Sequence, residues 1–201
     1  MADIPAIAAL FTESFKASVL HHCGGKVPKP QAMRDVFALV YEAEPKAAFV
    51  VRLSRDSSVV GYCFAPALLT RLWIRAVLGG HVFKWFWRWI TGQYGFSFQP
   101  VKVILLNKVA FLRSAAAPTK AANARILSIA VAKSFRGQGI AGELIAVALT
   151  YFRSAGVRRA RLEVRPDNIA AVKVYKKHGF VDGGLTYDSQ GPWLIMFKEM
   201  E

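Results

Sequence analysis

Cysteine is nearly absent from this 201-residue chain, with Cys23 and Cys63 its only two. Two unpatterned thiols cannot form a disulfide framework, and no N-terminal run joins a cationic start, an apolar stretch and a small-residue cleavage site. The expected compartment is therefore a reducing cytoplasm. No segment repeats at a fixed period, which excludes solenoids and propellers. The one biased tract is the alanine-rich run from Ala115 to Ala124, which reads as a connector. Acidic residues are also scarce: thirteen Asp and Glu stand against 27 Lys and Arg, a formal charge of +14, and none occurs from Ser57 through Gly142. Such a balance suits anionic partners, among them phosphorylated cofactors, a nucleotide-sugar, an acidic membrane surface or nucleic acid, and charge alone does not choose among them. The chain is long enough for one domain with a substantial core.

Apolar spacing outlines the elements. Ile7, Phe11 and Phe15 recur every four residues behind Pro5, so residues 4 to 21 read as an amphipathic helix ended by Gly24-Gly25. A second helix runs from Pro30 to Glu42, with Met33, Val36, Phe37 and Val40 on one face. Ala47 to Leu53 and Val59 to Phe64 form a hairpin across Arg55-Asp56-Ser57-Ser58. Ile126 to Val131 is a strand and a helix starts near Ile140, lined by Leu144, Val147, Ala148 and Tyr151 and stopped by Gly156. Arg161 to Arg165, Asn168 to His178, Phe180-Val181 and Trp193 to Phe197 supply a strand, a helix and two last strands. The alternation predicts an α/β fold, a mixed sheet with helices on both faces. His21, His22 and Cys23 do not suggest a metal: adjacent residues diverge on a helix, and no carboxylate or second Cys falls at ligand spacing.

Two stretches carry chemistry. Arg136-Gly137-Gln138-Gly139-Ile140-Ala141 lies where a strand hands over to a helix, and a turn with two glycines and no acid presents unpaired N–H groups suited to a pyrophosphate. After the strand 161–165 come Asn168, Ala171, Tyr175, Gly179 and Phe180, spaced N-x-x-A-x-x-x-Y-x-x-x-G-F. Together these stretches resemble motifs A and B of the GNAT acetyltransferases, closely over residues 125 to 181 and more loosely over Ile4 to Phe15 and Ala47 to Ala65. The piece L-E-V-R-P-D-N is similar to the ribosomal-protein N-terminal alanine acetyltransferases within that family.

The resemblance implies a GNAT fold, mostly antiparallel, with acetyl-CoA as cosubstrate and no metal. The backbone of Ile129, Ala130 and Val131 would pair with the pantetheine amides, and Arg136, Gly137, Gln138, Gly139, Ile140 and Ala141 would hold the pyrophosphate. Asn168 would bond the pantetheine or cap its helix. Tyr175 would be the general acid that protonates the departing thiolate, since a phenol of ordinary pKa about 10 is a suitable donor. Glu163 would be the general base, often through water, although Arg161 and Arg165 flank it at two-residue spacing and an ion-pair ladder is the alternative. Lys173, Lys176 and Lys177 could meet the adenosine phosphate or form a solvated helix face. Two departures stand out. Met1 to Asp3 leaves no room for the family's first strand, so either that strand is absent or the true start lies upstream of Met1, and the third and fourth family strands are separated by an insert, residues 67 to 124.

That insert holds four of the five Trp, Trp73, Trp85, Trp87 and Trp89, with Arg71, Arg75, Lys84 and Arg88 in four-residue pairs on two short helix candidates divided by Gly79-Gly80. In the second, Val82, Trp85, Phe86, Trp89 and Ile90 share a face. Packing on the domain or in a homodimer is the first expectation, contact with an anionic membrane surface or a lipid-linked acceptor the second, and nucleic acid the last. Five basic or His residues in about 24 positions exclude an ordinary transmembrane span. The function expected is direct acetyl transfer to an amine of a small metabolite or amino-sugar. The alternatives are a protein N-terminus as acceptor, a catalytically idle acyl-CoA-binding module, or a nucleic-acid-binding protein. Location is expected to be cytoplasmic, with the inner face of the membrane as a peripheral site.

Overall fold

In a computed structural model, residues 1–95, 122 and 124–200 are described. The first helical region is two helices, α1 (Ile4–Ser14) and α2 (Lys16–His22), rather than one through residue 21. Phe15 separates them at φ −117° and ψ 29°, outside helical geometry. Helix α3 (Pro30–Ala43) follows, then the antiparallel pair β1 (Ala48–Arg52) and β2 (Val59–Phe64). Ile4, Ile7, Ala8 and Leu10 of α1 meet Phe37 of α3 over Tyr62, Phe64 and Ala130, filling one side of a three-stranded sheet ordered β1-β2-β4.

Two short strands, β3 (Ala124–Arg125) and β4 (Ser128–Val131), replace the expected continuous strand from Ile126. The change of neighbour explains the break. β3 pairs in parallel with β5 (Arg159–Val164), and the Ile126 N–H donates to Arg161 O at 2.9 Å. From Leu127 to Ala132 the backbone pairs instead with β2, first through Leu127 N–H to Phe64 O and then in the register Ala130 with Tyr62. The sheet divides at this point. Its other half is ordered β3-β5-β7-β6 and includes the long hairpin β6 (Val181–Asp188) and β7 (Gly191–Glu199), which extends both last strands beyond their expected limits. Among the described residues, all strand pairings except β3 with β5 are antiparallel.

Helix α6 (Ile140–Ser154) seals both halves from one side through Leu144, Ile145, Ala148, Leu149 and Phe152, against Ile126, Val131, Leu162, Val164 and Met196. Val147, expected on the inner face, is 48% exposed. The buried stripe is rotated toward Ile145 and Phe152 because the helix bridges two half-sheets and not one flat surface. Helix α7 (Ile169–Lys177) adds Tyr175 to this core.

The described part of the insert forms α4 (Leu69–Leu78) and α5 (His81–Ile90) against α3. Glu44, 3% exposed, accepts from the Ala67 N–H at 2.8 Å and from the Tyr151 hydroxyl, so it pins the start of the insert to α6. Along α3, Asp35 and Glu42 lie seven residues apart on one face and meet the insert's cations. Arg88 Nη1 donates to both Asp35 oxygens at 2.6 Å, Tyr94 O–H donates at 2.7 Å, and Lys84 Nζ is 3.5 Å away. Arg75 Nη2 lies 2.9 Å and His81 Nε2 3.1 Å from Glu42 Oε2, and Arg71 Nη1 lies 3.6 Å from Glu44. The cationic strip points inward, and of the apolar face expected on the second insert helix Trp85 and Trp89 are half-buried with it while Val82, Phe86 and Ile90 are exposed. The outward side is apolar: Trp73, Leu78, Phe83 and Trp87 are 65%, 82%, 72% and 56% exposed. The expectations for residues 96–121 lie outside the described residues.

Candidate active site

The site is organised by the division between β4 and β5. Ala132 N–H donates to Val60 O at 2.8 Å, so the alternation of an antiparallel pair turns the backbone groups of Ala130 toward β2 and those of Ile129 and Val131 away from it. Of the three residues expected to face a pantetheine arm, Ala130 is thus engaged within the sheet. Ile129 and Val131 lie on the free edge, where an extended ligand can add as a further strand. Arg136 Nε closes the far end of this edge by donating to Val131 O at 3.0 Å.

Beyond that edge the chain enters α6 through Gly137 at φ +79° and Gly139 at φ +85°, left-handed values that disfavour any side chain. None of the N–H groups from Gly137 to Gly142 donates to another backbone oxygen among the described residues, and no side chain caps α6. A Cβ built at Gly137 or Gly139 meets nothing within 4 Å, so the space over the turn is open. Six unpaired donors at the positive end of a helix dipole, with Arg136, Gln138 and Gly139 exposed, fit a pyrophosphate group. The first acid of the helix, Glu143, is its fourth residue and is exposed.

Tyr175 reaches the division from the α6 side. It is 7% exposed, stacks edge-on with Phe180 at 6.1 Å between centroids, and shares a core with Cys63. Burial first, and Cys63 second, push its phenol well above the ordinary value, so it stays protonated through any physiological pH. Cys63 is itself pushed up to about 12 by burial. Asn168 Oδ1 accepts from the Ala171 N–H at 3.2 Å and caps α7.

Glu163 lies on the opposite face of β5 from Leu162 and Val164, which pack toward α6. Arg125 Nε donates to its Oε2 at 2.6 Å and Arg161 Nε to its Oε1 at 2.6 Å. Arg165, expected as the second partner, is turned away to Asp188 at 3.1 Å and over the Trp193 ring at 3.9 Å. Trp193 Nε1 donates to the same carboxylate at 2.7 Å. Sequence reasoning missed Arg125 because the parallel pairing of Arg125 with Arg161 is a tertiary fact. It missed Cys63 beside Tyr175 for the same reason. The tip of the β6–β7 hairpin is held on α2 by Ser18 Oγ donating to Gln190 Oε1 at 2.7 Å, and by a 2.9 Å bond between His21 Nε2 and Ser189 Oγ. His22 Nδ1 donates to Ser18 O at 2.8 Å, which occupies both histidines within the fold.

Comparison with known proteins agrees with this architecture. Residues 6–180 match the family described as Acetyltransferase (GNAT) family. A 55-residue stretch is 38% identical to N-alpha-acetyltransferase 30 of Schizosaccharomyces pombe (strain 972 / ATCC 24843), spanning 27% of this chain and only 37% of that protein. Ard1 from Thermoplasma volcanium superposes with a TM-score of 0.52 at 20% identity, over 84% of this chain and 80% of that one. The ribosomal-protein-S18-alanine N-acetyltransferase from Escherichia coli gives 0.53 at 14% identity, over 100% and 90%. At these identities the two structures share the fold.

Proposed function

The chain belongs to the GNAT family, and from that premise we propose that it is an N-acetyltransferase that transfers the acetyl group of acetyl-CoA directly to the α-amine of a peptide or protein N-terminus. The family uses acetyl-CoA, whose thioester supplies an activated acetyl carbon. The observation that carries the reading is the divided sheet: among the described residues no strand pairs with the outer edge at Ile129 and Val131, six backbone N–H groups beyond it are unpaired, Tyr175 lies on one side and Glu163 on the other. Ile129 and Val131 orient the pantetheine, and Arg136 with the turn Gly137-Gln138-Gly139-Ile140-Ala141 binds the pyrophosphate. Tyr175 donates the proton that the leaving thiolate needs, from the buried side of the division. Glu163, fixed by Arg125 and Arg161, takes the proton the attacking amine must lose, directly or through water.

The local likeness to an N-alpha-acetyltransferase supports the choice of acceptor. An amine on a small metabolite or amino-sugar is the second reading, favoured by Arg125, Arg161 and Arg165, three guanidiniums that outnumber the two carboxylates they bond, Glu163 and Asp188, and so suit an acceptor carrying an anionic group. Thioester consumption measured against N-terminal peptides and amino-sugars, with mass spectrometry locating the acetyl group, decides. Acetyl on peptide α-amines supports the first reading, and turnover confined to the amino-sugars replaces it with the second. Acetyl-CoA binding with no turnover on either panel makes the chain an idle acyl-CoA-binding module.

A further inference from the structure

Helices α4 and α5 carry their polarity the wrong way round for a surface helix pair. Arg71, Arg75, Lys84 and Arg88 are drawn inward to Glu44, Glu42 and Asp35, while Trp73, Val77, Leu78, Phe83, Phe86 and Trp87 stand 54% to 82% exposed on the outside. A contiguous face of this kind marks an interaction surface rather than scattered exposure. Each helix has ten residues, and no helix among the described residues is long and apolar enough to cross a membrane. The pair can lie on a bilayer without spanning it.

We propose that this face rests on an anionic phospholipid surface. Charge selects that occupant. From Ser57 through Gly142 the chain has no acid, and the side chains of Arg71 and Arg75 remain 54% and 49% exposed at the seam where the apolar face meets α3. Their half-exposed side chains rim the patch, and with Lys84 and Arg88 they are four cations against the three carboxylates Asp35, Glu42 and Glu44, so the seam keeps a positive balance toward headgroup phosphates. The carboxylates nearest the face, Asp35, Glu42 and Glu44, are each neutralised by one of these cations or by a neighbour. A second copy of the chain would bring another +14 against this one, which opposes face-to-face pairing and favours an anionic sheet of lipid. Indole and phenyl rings at this position match the headgroup boundary, where amphipathic aromatics concentrate.

The test is sedimentation of the full chain with vesicles of phosphatidylglycerol and phosphatidylcholine, against phosphatidylcholine alone, at low and at physiological salt. Binding to the anionic vesicles, weakened by salt and accompanied by a blue shift of Trp emission, is expected. The double substitution Phe83→Ser with Trp87→Ser should lower partitioning at least about tenfold while leaving acetyl-CoA affinity and the melting temperature unchanged. Should the double variant prove unstable, Leu78→Ser, at the most exposed apolar position, carries the test alone. Failure to bind anionic vesicles at low salt, equal binding to neutral ones, or binding indifferent to these substitutions overturns the proposal. So does a dimer in light scattering that the double substitution dissolves.

Discussion

Helices α5 and α6 are both amphipathic, and they bury opposite faces. Helix α6 turns Leu144, Ile145, Ala148 and Phe152 to the sheets and leaves its polar side to solvent. Helix α5 turns Lys84 and Arg88 to α3 and leaves Val82, Phe83, Phe86 and Trp87 outside. The difference lies in what each helix meets. Helix α6 covers a surface whose free groups are apolar, whereas α5 covers a helix that presents Asp35 and Glu42, and desolvated carboxylates without partners cost more than exposed aromatic rings. Hydrophobic periodicity therefore marks a helix as amphipathic, and the partner decides which side is buried and where its boundary falls.

The sharpest way to break the comparison is Asp35→Ala. The carboxylate, 6% exposed, holds Arg88, Lys84 and Tyr94 together, and its removal strands Arg88 at the interface. A loss of about 3 kcal/mol in unfolding free energy is expected, at the lower end for a broken buried pair because Arg88 keeps 28% exposure. Denaturant unfolding measures it. A matching Leu→Ala change at Leu144 removes apolar burial instead, so α6 should respond to lost methylenes where α5 responds to lost charge. The catalytic counterpart is Tyr175→Phe, which keeps the packed ring and removes the donor. Turnover should fall about 10², or about 2.7 kcal/mol of transition-state stabilisation, with acetyl-CoA binding retained. Equal turnover in the two proteins would return Tyr175 to a packing role.

Legibility followed the same divide. Between Arg125 and Phe180 the signals are local: Gly139 had to adopt positive φ, Asn168 had to cap the helix three residues before Ala171, and the turn residues encode both. What needed a partner from elsewhere was not readable. Glu163 takes Arg125 because β3 lies beside β5, while Arg165 lies past the end of that strand and joins the β6–β7 hairpin. The break at Phe15 and the rotation of α6 toward Ile145 likewise depend on surfaces that no short window contains. The outward face of α5 is the extreme case: the stripe read as Val82, Trp85, Phe86, Trp89 and Ile90 is split, with Trp85 and Trp89 turned inward and Phe83 and Trp87 outside.

A smaller effect sharpens the comparison at the turn before α6. Gly139→Ala adds one Cβ into open space over the unpaired N–H groups, where the reading puts the pyrophosphate. Acetyl-CoA affinity should drop about tenfold, or about 1.4 kcal/mol. Left-handed backbone alone would also cost stability, so Gly156→Ala, at φ +68° with equally open space after α6, is the control. The control should lose stability and keep its affinity. Equal affinity losses in the two variants would remove the turn from the binding site.

The smallest effect is a titration, and it asks whether charge is what holds α5 in its inverted orientation. Burial tends to raise the Asp35 carboxyl, but Arg88, Tyr94, Lys84 and Gln31 outweigh it and hold the folded value below the ordinary one. A depressed carboxylate contributes stability that is complete above its unfolded pKa of about 3.9 and lost as pH falls through the lower folded value. Glu42 is shifted the same way, burial opposing Arg75 and His81, so acid loosens the whole seam and a single scan does not isolate Asp35. Subtraction does. Unfolding free energies of the parent and of Asp35→Asn should differ most near neutral pH, and the difference should shrink steadily below about pH 4. The emission of Trp85 and Trp89, half-buried on the same seam, gives a local readout of the same loss. A difference that stays constant down to pH 3 would show that the shape of the Asp35 side chain, rather than its charge, seats α5. The contrast with α6 would then be one of packing alone.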